Sequence, residues 1–280
     1  MSFTWNTFGW INLGIDLLAV LLSLGAVFYA LRPGAGNEFV LLAGLPRGRT
    51  GAGLARILCA KIGADGLLSI SRYGRMVHLD YWNADGSAAF CGNGSRCAAL
   101  WAKTVGWTSK THFLLGTSRG NLSVRLTGKG RAEVKMPNPI SLRLGLRLKV
   151  LGKTLTVHFV DTGVPHAVLF VPDTEKVAVQ ALGRALRFHK AFGKAGANVD
   201  FVSIKNGVLS LRTYERGVED ETDACGTGVM AAGFIACVLG KAGPSSRVSV
   251  RSGAQLNVSF LDGAWLEGPG EIIFTGEVAL

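Results

Sequence analysis

A Cys-Gly-x-Gly loop that opens an alanine-rich segment occurs twice in the chain, at Cys91-Gly92-Asn93-Gly94 and at Cys225-Gly226-Thr227-Gly228. The stretches upstream repeat as well. Residues 64–70 read A-D-G-L-L-S-I and residues 198–204 read N-V-D-F-V-S-I, and one interval of 134 residues separates both Ile70 from Ile204 and Cys91 from Cys225. Self-similarity at a fixed period means one structural unit built twice. If the two units pack face to face, both helix N-termini point into one cleft with a cysteine on either side. Gly92 and Gly94 permit a sharp turn and close backbone approach, and the run from Cys97 to Trp101 continues as helix. The free N–H groups of such a helix start attract an anion and lower the pKa of a neighbouring thiol. Each loop therefore reads as a carboxylate cradle beside a reactive sulfur, against the plainer alternative of a buried core cysteine.

With 280 residues, 48% of them hydrophobic, the chain can bury a sizeable core as one large domain or two of ordinary size. Strands are expected at 40–42, 67–71, 76–81, 111–115, 121–126 and 132–136. A helix is expected over 50–62, where Leu54, Ile57, Leu58 and Ile62 recur at helical spacing before Gly63 as its C-cap. Pro137-Asn138-Pro139 then marks a boundary, because neither helix nor central strand tolerates two prolines so close together. The second half repeats the plan: strands through 143–160 and at 167–171, a helix over 174–189, strands at 198–204 and 207–214, the Cys225 helix, and strands at 248–250, 256–261 and 272–275. The fold class is α+β, as two pseudo-symmetric domains over 26–138 and 139–280, with the last strand free to return to the first domain.

Residues 17–31 are mostly apolar, and the run extends back to Gly9 only by accepting Asn12 and Asp16. This is shorter than the roughly 20 residues a membrane span needs, and no Lys or Arg precedes Arg32 to make a signal-peptide n-region. Residues 1–25 are therefore expected as an extension outside the catalytic fold, and membrane contact through residues 9–31 is disfavoured. Five cysteines without a dense disulfide spacing or a C-x-x-C pair fit a reducing cytoplasm and offer no zinc site. Cys59, Cys97 and Cys237 lie in apolar segments and are expected in the core.

Net charge is +11, but residues 103–153 alone hold eleven Lys and Arg against one acid, Glu133. Leu142, Leu144, Leu146, Leu148 and Val150 alternate there with Arg143, Gly145, Arg147 and Lys149, the pattern of a half-buried strand with a solvated basic face. No aromatic side chains interleave with the charges to stack bases, so nucleic acid is not an expected partner.

Five motifs then occur in a specific order: G-A-G-N-E-F at 34–39, N-A-D-G-S with C-G-N-G-S-R-C, G-V-P-H at 163–166, N-V-D-F-V from Asn198, and E-R-G followed by A-C-G-T-G. In this order they resemble the diaminopimelate epimerases, cofactor-independent amino-acid epimerases, over residues 26–280. The resemblance implies that each domain is a β-barrel-like mixed sheet wrapped on its central helix, with the active site between the domains. It implies conversion of LL-diaminopimelate to the meso isomer, in lysine and peptidoglycan precursor biosynthesis, with no metal or other cofactor and a small diamino dicarboxylic acid as partner. A homodimer is compatible with it.

By the same resemblance Cys91 and Cys225 are catalytic, with His166 and Glu215 orienting or polarising them. Asn37, Asn83, Asn198, Glu215 and Arg216 match substrate contacts, and Gly92, Asn93, Gly226 and Thr227 match the carboxylate cradle. The residue chemistry agrees. Inverting a carbon beside a carboxylate needs an acid/base group on each face, and two helix N-termini can stabilise the charge that develops. Arg216 offers a planar fork to a distal carboxylate, while amides and Glu215 can bind ammonium groups. One position departs from the family: Val164 stands where G-N-P-H is usual, which loosens the substrate assignment. A proline racemase-like enzyme would typically carry C-G-H-G where this chain has Asn93. A basic membrane- or nucleic-acid-binding module would leave the repeated loops unexplained.

Overall fold

Runs of apolar residues punctuated by turn-forming glycines make strand the commonest regular structure among the described residues. The computed structural model describes residues 26–32, 37–128 and 130–278. The expected extension over residues 1–25 and Gly34 to Gly36 of the first motif lie outside the described residues. The first half contains β1 (Ala26–Arg32), β2 (Phe39–Leu42), α1 (Gly51–Ile62), β3 (Gly66–Tyr73), β4 (Met76–Asn83), α2 (Gly92–Thr104), β5 (His112–Thr117), β6 (Gly120–Gly128) and β7 (Arg131–Lys135). The second contains β8 (Ile140–Val150), β9 (Lys153–Asp161), β10 (Pro165–Phe170), α3 (Val179–Arg187), β11 (Asn198–Lys205), β12 (Val208–Glu215), β13 (Asp220–Thr222), α4 (Gly226–Val238), β14 (Ser245–Ser249), β15 (Gln255–Ser259), β16 (Trp265–Pro269) and β17 (Glu271–Val278).

Strand pairing makes the duplication visible. From β2 to β7, neighbours pair in sequence order as parallel, antiparallel, parallel, antiparallel and antiparallel. The series β10, β11, β12, β14, β15, β16 repeats that pattern. The two series meet where β7 pairs antiparallel with β16, strand against equivalent strand. At the outer ends β8 and β9 precede β10, while β17 and β1 precede β2, all antiparallel. The C-terminal strand thus occupies in the first half the place that β8 occupies in the second.

Each central helix is ringed by strands of its own half. The Ala and Gly positions of α2 and α4 let strands approach closely, and α4, apolar all round, must be enclosed. Cys97, Ala98, Trp101 and Ala102 pack with Ile70, Leu79 and Val134, and Val229, Ala232 and Ala236 belong to the same continuous core with Val202, Leu211 and Val258. Smaller cores lie under α1 and α3. Burying one such aliphatic side chain contributes about 1.5–3 kcal/mol. The α1 helix begins and ends as expected: the Thr50 hydroxyl accepts from the Gly53 N–H, and Gly63 caps the C-terminus at φ 79°.

Three expectations are corrected. The helix expected over 174–189 is a short 3-10 turn, Thr174–Lys176, followed by α3, because Val177 between them is extended. The alternation in β8 buries only Leu148 and Val150, while Leu142 and Leu144 stay exposed. Ser141 and Gly145 have positive φ, and the pairing with β9 shifts register there, so the alternation does not carry through. Strands β13 and β16 were not expected at all, and β16 is the one that joins the halves.

Candidate active site

Cys91 and Cys225 are the N-cap residues of α2 and α4, both extended, at φ −133°, ψ 111° and φ −123°, ψ 109°. The Sγ of Cys91 accepts a hydrogen bond from the Gly94 N–H at 3.4 Å. Cys225 makes no capping hydrogen bond; its Sγ lies 3.3 Å from the Thr227 hydroxyl. Both sulfurs line one cleft of about 570 Å³, with Asn37, Tyr81, Asn83 and Asn93 on one wall and Glu215, Thr222 and Thr227 on the other. The loops face each other closely, since a Cβ placed on Gly226 would lie 3.8 Å from the Asn93 side-chain oxygen.

Behind each loop runs a chain of side-chain hydrogen bonds that starts from equivalent residues, Asn93 and Thr227, and ends on a different acid in each half. In the first half the Asn93 amide donates to Asn37 Oδ1 at 2.7 Å, and the Asn37 amide donates to Asp65 at 3.3 Å. In the second, Thr227 Oγ1 lies 3.0 Å from His166 Nε2, and His166 Nδ1 lies 2.6 Å from Asp200 Oδ2. Asp200 also accepts from the Thr213 hydroxyl at 2.7 Å. His166 and Asp200 are both fully buried. With Asp200 ionised, Nδ1 carries the imidazole proton and Nε2 accepts from Thr227, which leaves the Thr227 oxygen free to accept from the Cys225 thiol.

Burial pushes both thiols up. At Cys91 this is opposed by the Gly94 N–H, the Arg96 charge and the Asn93 N–H. At Cys225 the carboxylates of Glu215 and Asp200 add to burial, and no N–H caps the sulfur to oppose them. Burial also raises Glu215 above the usual carboxylate range, despite a hydrogen bond from Thr222 at 2.8 Å.

Of the residues singled out in the sequence, Cys91, Cys225, Asn37, Asn83, Gly92, Asn93, Glu215, Gly226 and Thr227 line the cleft. His166 and Asn198 lie behind Thr227, buried, and the Asn198 amide donates to the Pro165 carbonyl at 3.1 Å. Arg216 is not among the lining residues; its backbone N–H donates to Asn198 Oδ1 at 2.8 Å. Val164 is half-buried and its carbonyl accepts from the Thr162 N–H. Among the described residues no group of three or more His, Cys, Asp or Glu is placed to hold a metal ion. Sequence reasoning missed Asp200 and Arg96 as parts of the site. Each was readable as a lone charge in an otherwise apolar strand or small-residue helix, a placement that demands a partner.

The family model described as diaminopimelate epimerase matches residues 29–141 and 158–263. A diaminopimelate epimerase of Hydrogenobaculum sp. (strain Y04AAS1) is 37% identical over 264 residues, covering 87% of this chain and 95% of the relative. One from Chlorobaculum tepidum is 36% identical over 264 residues, covering 88% and 99%. Among solved structures, the Bacillus anthracis phenazine biosynthesis protein of the PhzF family superposes with a TM-score of 0.72 at 13% identity, covering 91% of this chain and 99% of that one. At that identity the likeness concerns the fold. No helix among the described residues is long and apolar enough to cross a membrane.

Proposed function

The chain belongs to the diaminopimelate epimerase family of isomerases, and from that premise we propose that it converts LL-diaminopimelate to the meso isomer by a two-base exchange between Cys91 and Cys225. One cysteine, as thiolate, removes the α-proton, and the other, as thiol, delivers a proton to the opposite face of the same carbon. The reverse reaction exchanges their roles, so acid and base both come from the chain. Charge developing on the substrate carboxylate is met by the N–H groups at the starts of α2 and α4. Glu215, Asn37 and Asn83 recognise the ammonium groups, and Arg216, next in the chain, serves the distal carboxylate. In this reading the enzyme serves lysine and peptidoglycan precursor synthesis.

The observation that carries the reading is the lining of one cleft by two cysteines, each at the N-cap of a pseudo-symmetric helix. The deciding experiment incubates the protein in D2O with LL-diaminopimelate, proline, histidine and glutamate in turn, in chelator and without added cofactor. NMR follows α-deuterium. Exchange and inversion of diaminopimelate alone are expected; exchange with proline but not diaminopimelate would overturn the substrate assignment.

A further inference from the structure

Arg96 is fully buried in α2, yet its guanidinium has one hydrogen-bond partner: Nη2 donates to Asn93 Oδ1 at 2.8 Å. Its Nε and Nη1 have none among the described residues. Room for it comes from Gly268 on β16, where a Cβ would lie 2.9 Å from both Nε and Nη2. An arginine buried on such terms is costly. The fold itself does not require it, because the duplication places Met230 at the equivalent position of α4, equally buried. The first half thus carries a fixed positive charge where the second half carries a thioether.

The surroundings of the two sulfurs differ in the same sense. The groups facing Cys91 are Arg96 and Cys97 on its own helix, Tyr81 on β4, and Asp65 before β3. Asp65 is exposed, so water screens it, whereas nothing screens Arg96. Glu267 and Arg131, which also reach Arg96, pair with each other. The groups facing Cys225 are acidic or imidazole: Glu215 on β12, and Asp200 with His166 on β11 and β10. Glu221 and Asp223 lie further along the same wall. The hydrogen bonding agrees, since Cys91 Sγ accepts from a backbone N–H, whereas the Thr227 hydroxyl accepts from the Cys225 thiol.

We propose that Arg96 is a positioning residue that makes Cys91 the more readily ionised of the two cysteines, so that in the substrate-free enzyme Cys91 gives up its proton at a lower pH than Cys225. The proposal rests on the two-cysteine reading above and adds which sulfur begins as base. Through Asn93, Arg96 also fixes the loop that meets the substrate carboxylate. Burial lowers the guanidinium from its ordinary value, opposed by Cys97, Cys91 and Glu267, and an arginine side chain starts far enough above neutral pH to keep its charge there.

The test uses iodoacetamide, which a thiolate attacks with loss of iodide, on substrate-free protein over about pH 6 to 11, a range reaching well above ordinary thiol ionisation. Peptide mapping gives a rate at each cysteine, and the pH midpoint rather than the absolute rate is compared, because Cys225 is the more buried. In the native protein Cys91 should have the lower midpoint. Arg96→Met, which copies the other helix, should raise the Cys91 midpoint by about one unit or more, a roughly tenfold loss of thiolate at neutral pH. Arg96→Lys should restore most of it. A midpoint for Cys225 below that of Cys91 in the native protein, or an Arg96→Met midpoint unchanged at Cys91, would overturn the proposal. The native comparison and Arg96→Lys decide the matter even where Arg96→Met does not fold. No substrate is present, so a failure to epimerise diaminopimelate leaves this result standing, and the converse also holds.

Discussion

Glu133 and Glu267 stand directly opposite one another across β7 and β16, the pairing that joins the two halves. Like charges so placed repel, and each is held by its own arginine. Arg125 reaches Glu133 at 3.1 Å, and Arg131 grips both Glu267 oxygens at 3.1 Å. Arg125 also pairs with Asp262 at 2.7 Å and lies 3.7 Å over the Trp265 ring. Part of the basic stretch that the sequence suggested was merely a solvated face is therefore engaged in closing the seam.

Arg131→Met should weaken that seam. It removes a two-pronged ion pair from a largely buried carboxylate and leaves two acids facing one another, so a loss of about 1–3 kcal/mol is expected. Urea unfolding gives the measurement; an unchanged midpoint would mean that the seam does not depend on the pair.

The same glutamate sets an acid sensitivity. Burial alone would raise Glu267, but hydrogen bonds from Arg131, Thr127 and Asn257 outweigh it and hold the carboxyl below its ordinary 4.5. A group depressed on folding stabilises the fold above its unfolded pKa and loses that contribution as pH falls through the folded value. Native protein should thus lose stability below about pH 4.5 more steeply than Glu267→Gln, when the two are compared by urea unfolding at successive pH values. Parallel curves would assign the acid sensitivity elsewhere.

Cys91→Ala and Cys225→Ala should each abolish inversion, leaving at most exchange at one face. Cys97→Ala and Cys59→Ala, at buried positions away from the cleft, should keep turnover and lose about 1 kcal/mol of packing. Burial raises those two thiols to about 12 and about 11, which keeps them unreactive. Near-normal inversion by either of the first two variants would sink the two-base reading.

Asp200→Asn should slow turnover by about 100-fold or more while leaving KM nearly unchanged, because it disturbs the proton position on His166 without touching the cleft. Gly228→Ala should mimic it, since the added Cβ would come 2.6 Å from Asp200 Oδ1. Turnover within threefold of native in both variants would show that the chain behind Cys225 takes no part.

Much of this was legible beforehand because it is local. The repeat of Cys-Gly-x-Gly gave both helix starts at their observed residues, and Thr50 with Gly63 bracketed α1. What escaped was non-local. The β7–β16 seam depends on residues more than a hundred positions apart, and Trp265 to Pro269 has no alternation to announce a strand. The roles of Asp200 and Arg96 exist only once Gly228 and Gly268 are brought against them, and Arg216 proved to lie off the cleft lining because the next position after Glu215 faces another way. The α3 boundary failed for a different reason: apolar spacing continues through Val177, where the backbone does not.

The placement of β17 beside β1 governs how the molecule is made. During synthesis the first half emerges with every element of its sheet except the outermost, and β1 keeps one flank without a mate until residues 271–278 have left the ribosome. The second half meets no such delay, since β8 directly precedes β9. The earlier-made half is therefore the later to be finished, and closing its sheet requires the longest loop in the chain to close last.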